Sequence, residues 1–197
     1  MLMPNEIARS ILDSFFLLSK TPMRSDELMQ EMLEITAKHL KIDMLSFFLF
    51  SESGETAWLH ASTGEIGKKL VARGHKIALR SSPLLLMPVI DGEIRINDGW
   101  SGNVYGCLIP AVFEPGAKLP FLLLQEVKIM HSENAPSTIS FQLPAPRWEI
   151  ALPLRVPGHV FGALAIQILE FSRFTLDDCP NLQWVADQIS TIYTKSN

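Results

Sequence analysis

The chain is short of most features that mark a specialised class of protein, and each shortage excludes something. Only two cysteines occur, Cys107 and Cys179. They cannot build a disulfide framework and lack the paired spacing of a structural zinc site. The longest unbroken apolar stretch, Pro83 to Ile90, falls well below the roughly 18 residues that a membrane-crossing helix requires. Met1 to Arg9 holds no basic run followed by an apolar segment and a small-residue cleavage site, so no secretory signal is read and a cytoplasmic address is expected. Neither sign of charge dominates: 17 basic residues against 21 acidic ones give a net charge of -4. A nucleic acid partner is therefore not expected, because a phosphate backbone is bound through a positive surplus. The five histidines, His39, His60, His75, His131 and His159, show no HxH, HxxxH or His-Cys spacing. No metal site is expected, and a solvated or hydrogen-bonded role takes precedence over an axial haem ligand for each. Ser81-Ser82 and Ser101-Gly102 do not form a nucleophile elbow, and no glycine-rich phosphate loop is present.

What is present is enough apolar material for one core. Hydrophobic residues make up 47% of 197 positions and are spread from end to end, which fits one domain. Asn5 to Lys20 spaces Ile7, Ile11, Leu12, Phe15, Phe16 and Leu18 mostly by three and four, the signature of one apolar helical face. After Thr21-Pro22, Ser25 is an N-cap candidate with Asp26 and Glu27 in the first turn of a second helix, predicted to run to about Ile42. Met44 to Phe50 and Thr56 to Ala61 read as a hairpin. A helix follows over Glu65 to Arg73, then strands over His75 to Leu79 and Gly92 to Asn97. Between Asp98 and Pro146, glycines and prolines punctuate apolar runs, and two extended pieces are predicted, Phe121 to Ile129 and Ser137 to Leu143. Trp148 to Leu154 and His159 to Leu169, joined at Val156-Pro157-Gly158, form the clearest hairpin. The last helix is predicted over Leu176 to Tyr193, with Pro180 able to shift its start later. Helices, strands, a long connection, a hairpin and a closing helix suit an α+β sandwich on an antiparallel sheet.

Three stretches carry a family resemblance: Gly64 to Gly67 (GEIG), Trp148 to Gln167 (WEIALPLRVPGHVFGALAIQ), and Phe174 to Ile189 with its FTLDD and NLQWVADQI segments. They are similar to GAF domains, the small-molecule sensing modules of bacterial signalling proteins, in wording closest to those of multi-domain sensor histidine kinases. The resemblance implies an antiparallel sheet of about five or six strands with N- and C-terminal helices packed on one face and a ligand pocket on the other. It implies a helix over residues 1–24 for dimerisation and signalling, and a GAF-like domain over 25–197 with an insertion at about 99–147. On the family's layout the pocket residues would be Ser46, Phe48, His60, Ser82, Trp100, Tyr105 and Trp148. The NKFDE-type signature of cyclic-nucleotide binders is not found, and neither cysteine sits as in bilin-binding relatives. No cofactor is assigned, and no enzymatic activity is expected.

The resemblance implies a sensory domain that binds a small effector and passes its state through a homodimer seam on the terminal helices. Leu12, Phe15, Phe16, Ile189 and Ile192 are the seam candidates, or the state passes to a separate kinase or regulator. No kinase, receiver or DNA-binding unit fits after the last helix, so either output is expected to leave through a partner or the domain is a fragment or an evolutionary remnant. Two alternatives stay open. One is a redox enzyme like the free methionine sulfoxide reductases, using Cys107. The other is a structural dimerisation module whose insertion fills its own pocket. Lys68, Lys69, Arg73, Lys76 and Arg80, five of the 17 basic residues within 13 positions, read as a solvated face or as a patch for an anionic effector or acidic partner. Gly162 reads as a place where another backbone or a ligand comes close.

Overall fold

The computed structural model describes residues 5–82, 92–98, 104–107, 125–126, 148–170 and 175–196. Two helices open the chain, α1 (Asn5–Ser19) and α2 (Ser25–Leu40). Strands β1 (Met44–Phe50) and β2 (Thr56–Ser62) follow, then α3 (Gly64–Ala72) and the short edge strand β3 (Lys76–Ala78). Further on come β4 (Ile94–Asp98), β5 (Val104–Cys107), β6 (Gln125–Glu126), β7 (Trp148–Val156) and β8 (His159–Ile168). A 3-10 turn over Leu176–Asp178 leads into α4 (Cys179–Ser196), so the helix proper starts three residues later than the predicted Leu176, with Pro180 in its first turn. The carboxylate of Asp178 accepts from the amide (2.9 Å) and hydroxyl (3.1 Å) of Thr175, which stabilises that entry.

All described strands join one antiparallel sheet in the order β3-β2-β1-β8-β7-β4-β5-β6. Six of them have four residues or more, and β3 and β6 are short edge pieces. The fold is α+β, as the predicted order of elements requires. Of the two extended pieces predicted in the long connection, Phe121 to Ile129 contains β6, whereas Ser137 to Leu143 lies outside the described residues. The cap of α2 differs by one residue from expectation. Arg24 occupies the N-cap, with its amide donating to the Glu27 carboxylate at 3.4 Å, and Ser25 is already helical.

One face of the sheet carries the main core. Leu45, Phe47, Ile94, Ile96, Ile150, Leu152, Leu164 and Ile166 project from alternating strand positions onto α1, α2 and α4. Ile11 and Phe15 of α1, Met29, Met32 and Leu33 of α2, and Val185, Ala186 and Ile189 of α4 complete it, all at most 1% exposed. Burying such side chains stabilises the fold by about 1.5 to 3 kcal/mol each before ordering costs. Phe15 and Ile189 are thereby spent inside the molecule and cannot serve an intermolecular seam, whereas Leu12 (37%), Phe16 (58%) and Leu17 (67%) remain outside on α1. A smaller cluster covers part of the other face, where Leu70 and Val71 of α3 pack near Phe48, Leu59, Ile77 and Leu79. A Cβ at Gly162 would collide with the backbone carbonyl of Phe48. That glycine therefore serves a close approach of backbone, the packing reading of its two expected roles.

Candidate functional site

Directly opposed residues of an antiparallel ladder share a face, so the pairing defines what lines the side of the sheet away from α1, α2 and α4. One row runs Asn97, Glu149, Gln167, Met44 across β4, β7, β8 and β1. The next runs Gly106, Arg95, Ala151, Ala165, Ser46, Ser62 from β5 to β2. A third holds Pro153, Ala163, Phe48 and Leu59. Ala151, Ala163 and Ala165 place only methyl groups at the centre, where they are buried in the same cluster as Phe48, Leu59 and the α3 residues, beside the polar rows.

Two ions lie in this floor almost fully out of water, Arg95 at 2% exposure and Glu149 at 3%. Buried charge persists only where hydrogen bonds and counter-charges replace hydration. Glu149 accepts from Asn97 Nδ2 at 3.0 Å and from Gln167 Nε2 at 3.2 Å, its neighbours in the row. Arg95 donates to Glu93 at 2.6 Å and to the carbonyl of Ile94 at 3.3 Å. Because Asn97 turns its NH2 to Glu149, its amide oxygen faces elsewhere, and Oδ1 is buried with no hydrogen-bond partner among the described residues. The hydroxyls of Ser46 and Ser62 pair at 2.8 Å. A binding surface of this kind can discriminate ligands strongly, since a group that fails to match a buried polar partner leaves that partner's desolvation uncompensated.

Ser46 and Phe48 are on this face, as the family layout implies. His60 and Trp148 are not. Between Phe47↔Ala61 and Phe48↔Leu59 the register shifts, leaving His60 as the extra residue of a bulge on the helix side. Its ring lies 5.8 Å from Phe47 and 5.9 Å from Tyr193 of α4. Burial lowers its pKa from the ordinary 6.5, partly offset by the charge of Asp26, and Nε2 is buried without a partner among the described residues. His60 also borders a separate groove of about 490 Å³ between the start of α2 and β2, with Asp26, Glu27, Gln30 and Glu31. Trp148 alternates with Glu149 and so falls in the helix-side core. Ser82 is buried just after the 3-10 turn Leu79–Ser81, its amide donating to the Leu79 carbonyl. Tyr105 lies in β5 opposite Ile96, with its side chain outside the described residues, and Trp100 lies outside them altogether.

Arg95, Asn97, Glu149 and Gln167 are absent from the sequence-based set. A signal was there to read: each is a polar residue in an otherwise apolar alternation, IRIN, WEIAL and ALAIQI. The basic run is partly neutralised, with Lys68 on Glu34 at 3.1 Å, Arg80 near Glu55 at 3.9 Å, and Lys76 over the Trp58 ring at 3.6 Å. Among the described residues no three His, Cys, Asp or Glu side chains converge to hold a metal ion, and no helix is long and apolar enough to cross a membrane.

No protein-family model and no curated protein matches the sequence. Solved structures do match the fold. The phycoerythrobilin-bound GAF domain of a cyanobacterial phytochrome superposes with a TM-score of 0.71 at 13% identity, over 98% of this chain and 97% of its own. The GAF domain of an Acinetobacter phosphoenolpyruvate-protein phosphotransferase gives 0.62 at 16% identity, over 98% and 96%. The free methionine-R-sulfoxide reductase of Neisseria meningitidis, solved with its substrate, gives 0.62 at 12%, over 97% and 92%. The chain has the GAF fold.

Proposed function

We propose that this chain is a cytoplasmic sensor domain that holds a small effector on the sheet face away from α1, α2 and α4, without transforming it. The observation that carries this reading is the row Asn97-Glu149-Gln167 beside an alanine floor, with Glu149 and Gln167 buried and Asn97 half-buried, a polar surface that packing alone does not call for. Two proteins of the same fold support it by what they hold, a bilin in one and a reductase substrate in the other. In the unit read as 25–197, the stretch at about 99–147 would border the effector. Ser46, Phe48, Ser82, Trp100 and Tyr105 are retained as candidate contacts, and Arg95, Asn97, Glu149 and Gln167 are added. The bound state would reach a second copy of the chain, or a separate kinase or regulator, through the terminal helices. On α1 the exposed Leu12, Phe16 and Leu17 are the apolar surface available for that contact.

Native and denaturing mass spectrometry of freshly purified protein, with an absorption spectrum, test both halves. The expected result is a dimer carrying a non-covalent mass that is lost on denaturation and lost in Glu149→Gln. A clean mass in every preparation, unchanged by a metabolite-extract screen, would overturn the receptor reading in favour of a dimerisation module. The redox alternative depends on Cys107, since Cys179 is buried at 0% exposure. Rapid alkylation of Cys107 at neutral pH, with Cys179 protected, would revive it.

A further inference from the structure

The strand that carries Glu149 also carries, six residues further along, the polar attachment of the closing helix. At its far end β7 leaves the regular ladder. Pro153 has no amide to donate, and the register with β8 shifts between Leu154 and Arg155. Backbone groups beside this irregularity bond to α4. The carbonyl of Pro153 accepts from Gln183 Nε2 at 3.0 Å, and the amide of Arg155 donates to Ser190 Oγ at 3.2 Å. The Arg155 guanidinium donates through two nitrogens to the two oxygens of Asp187, both at 3.0 Å. Gln183 also donates to Asp187 at 2.8 Å, joining the contacts into one network.

Gln183, Asp187 and Ser190 stand at i, i+4 and i+7, one stripe of the helix. Gln183 and Ser190 are at most 1% exposed, and the ion pair keeps 17% and 24% side-chain exposure. Beside this stripe, Leu182, Val185, Ala186 and Ile189 make the apolar contact of α4 with the sheet. Apolar packing tolerates small sliding and rotation, whereas a two-bonded guanidinium and carboxylate fit at one helix position. Buried or half-buried polar pairs are best attested in this registering role.

We propose that the Arg155-Asp187-Gln183 network pins α4 at one position on the sheet and couples it to the Glu149 end of β7, so that a displacement at the candidate site reaches the terminal helix through this strand. The purpose assigned to the pin rests on the sensor reading. Its existence and its coupling do not, and both can be measured with no ligand at all.

The experiment is amide hydrogen exchange on the full chain in four forms: unmodified, Glu149→Gln, Asp187→Asn, and the double variant. Asp187→Asn is expected to raise exchange along α4 selectively, leaving β1 and β8 nearly as protected as before. Glu149→Gln is expected to change α4 exchange by about threefold to thirtyfold in the otherwise unmodified chain, and to lose that effect once Asp187→Asn is present. Equal effects of Glu149→Gln with and without the pin, or unchanged α4 exchange in Asp187→Asn, would overturn the proposal. If Asp187→Asn does not fold, Arg155→Lys replaces it, keeping the charge while losing the two-point geometry, with the same expectation. If Glu149→Gln does not fold, Asn97→Ser perturbs the same row. Failure to find a small molecule on the protein sinks the sensor reading and leaves this cycle intact, while additive exchange sinks the pin and leaves ligand binding intact.

Discussion

The two faces of the central sheet are built from the same strands, yet they are chemically different surfaces. Toward α1, α2 and α4, positions such as Leu45, Ile96, Ile150 and Ile166 are large, apolar and at most 1% exposed. Toward the other side, the alternate positions Ser46, Arg95, Asn97, Ala151, Ala165 and Gln167 are polar or small. Because neighbouring residues on one strand share backbone geometry and differ only in the direction of the side chain, the contrast isolates what each face is for. The helix side follows the packing of a core. The far side departs from it by holding an arginine and a glutamate at 2% and 3% exposure, the departure on which the sensor proposal rests.

The contrast can be broken most severely on the helix side. Ile150→Ala, deleting atoms between the sheet and the helices, is expected to cost about 2 to 5 kcal/mol in urea unfolding, with m unchanged. An intermediate effect is expected on the far side from Ala165→Leu, which adds atoms to the buried alanine floor. If that face holds an effector, stability falls by about 1 to 3 kcal/mol and any co-purifying small molecule disappears. A larger loss with no change in bound mass would mean the floor is already filled, favouring the self-packed module.

The smallest effect concerns the bulged His60, which sits on the helix side and not with Ser46 and Phe48. Burial depresses its pKa below 6.5 in the folded chain, so the native state prefers the neutral ring. Its contribution is therefore complete above pH 6.5 and is lost as pH falls through the depressed value. His75 shifts in the same direction by burial. Urea midpoints measured from pH 7.5 down to 5 are expected to fall for the unmodified chain and to fall less steeply for His60→Leu, with the His75 share remaining. An identical slope in both would show that His60 keeps the same pKa on unfolding.

Periodicity alone determined most of the elements. The spacing of Ile7, Ile11 and Phe15 made α1 legible, and the alternation of WEIALPL and VFGALAI made the β7-β8 hairpin legible, because helical and strand periods are printed directly in the order of residues. The resemblance carried by that hairpin and the closing helix led to the GAF fold, and it set Ser46 and Phe48 on the far face. It did not predict the bulge that carries His60 to the other side, since a single extra residue in one strand is defined only by its partner's register. Nor did it single out Phe15 and Ile189 as core rather than seam, because an apolar stripe does not say which part of itself is covered.

The row Asn97, Glu149, Gln167 lies still further from reach of the sequence. These residues come from three strands scattered between positions 94 and 168, and only the order β8-β7-β4 makes them neighbours. The same holds for Arg155 and Asp187, which are 32 positions apart and meet at 3.0 Å. The sequence by itself determined most of the helices and strands, β5 (Val104–Cys107) excepted, and which side of each is apolar, because those depend on spacing within one segment. Which polar residues meet was decided by the tertiary structure alone, because strand order and register are properties of the whole sheet.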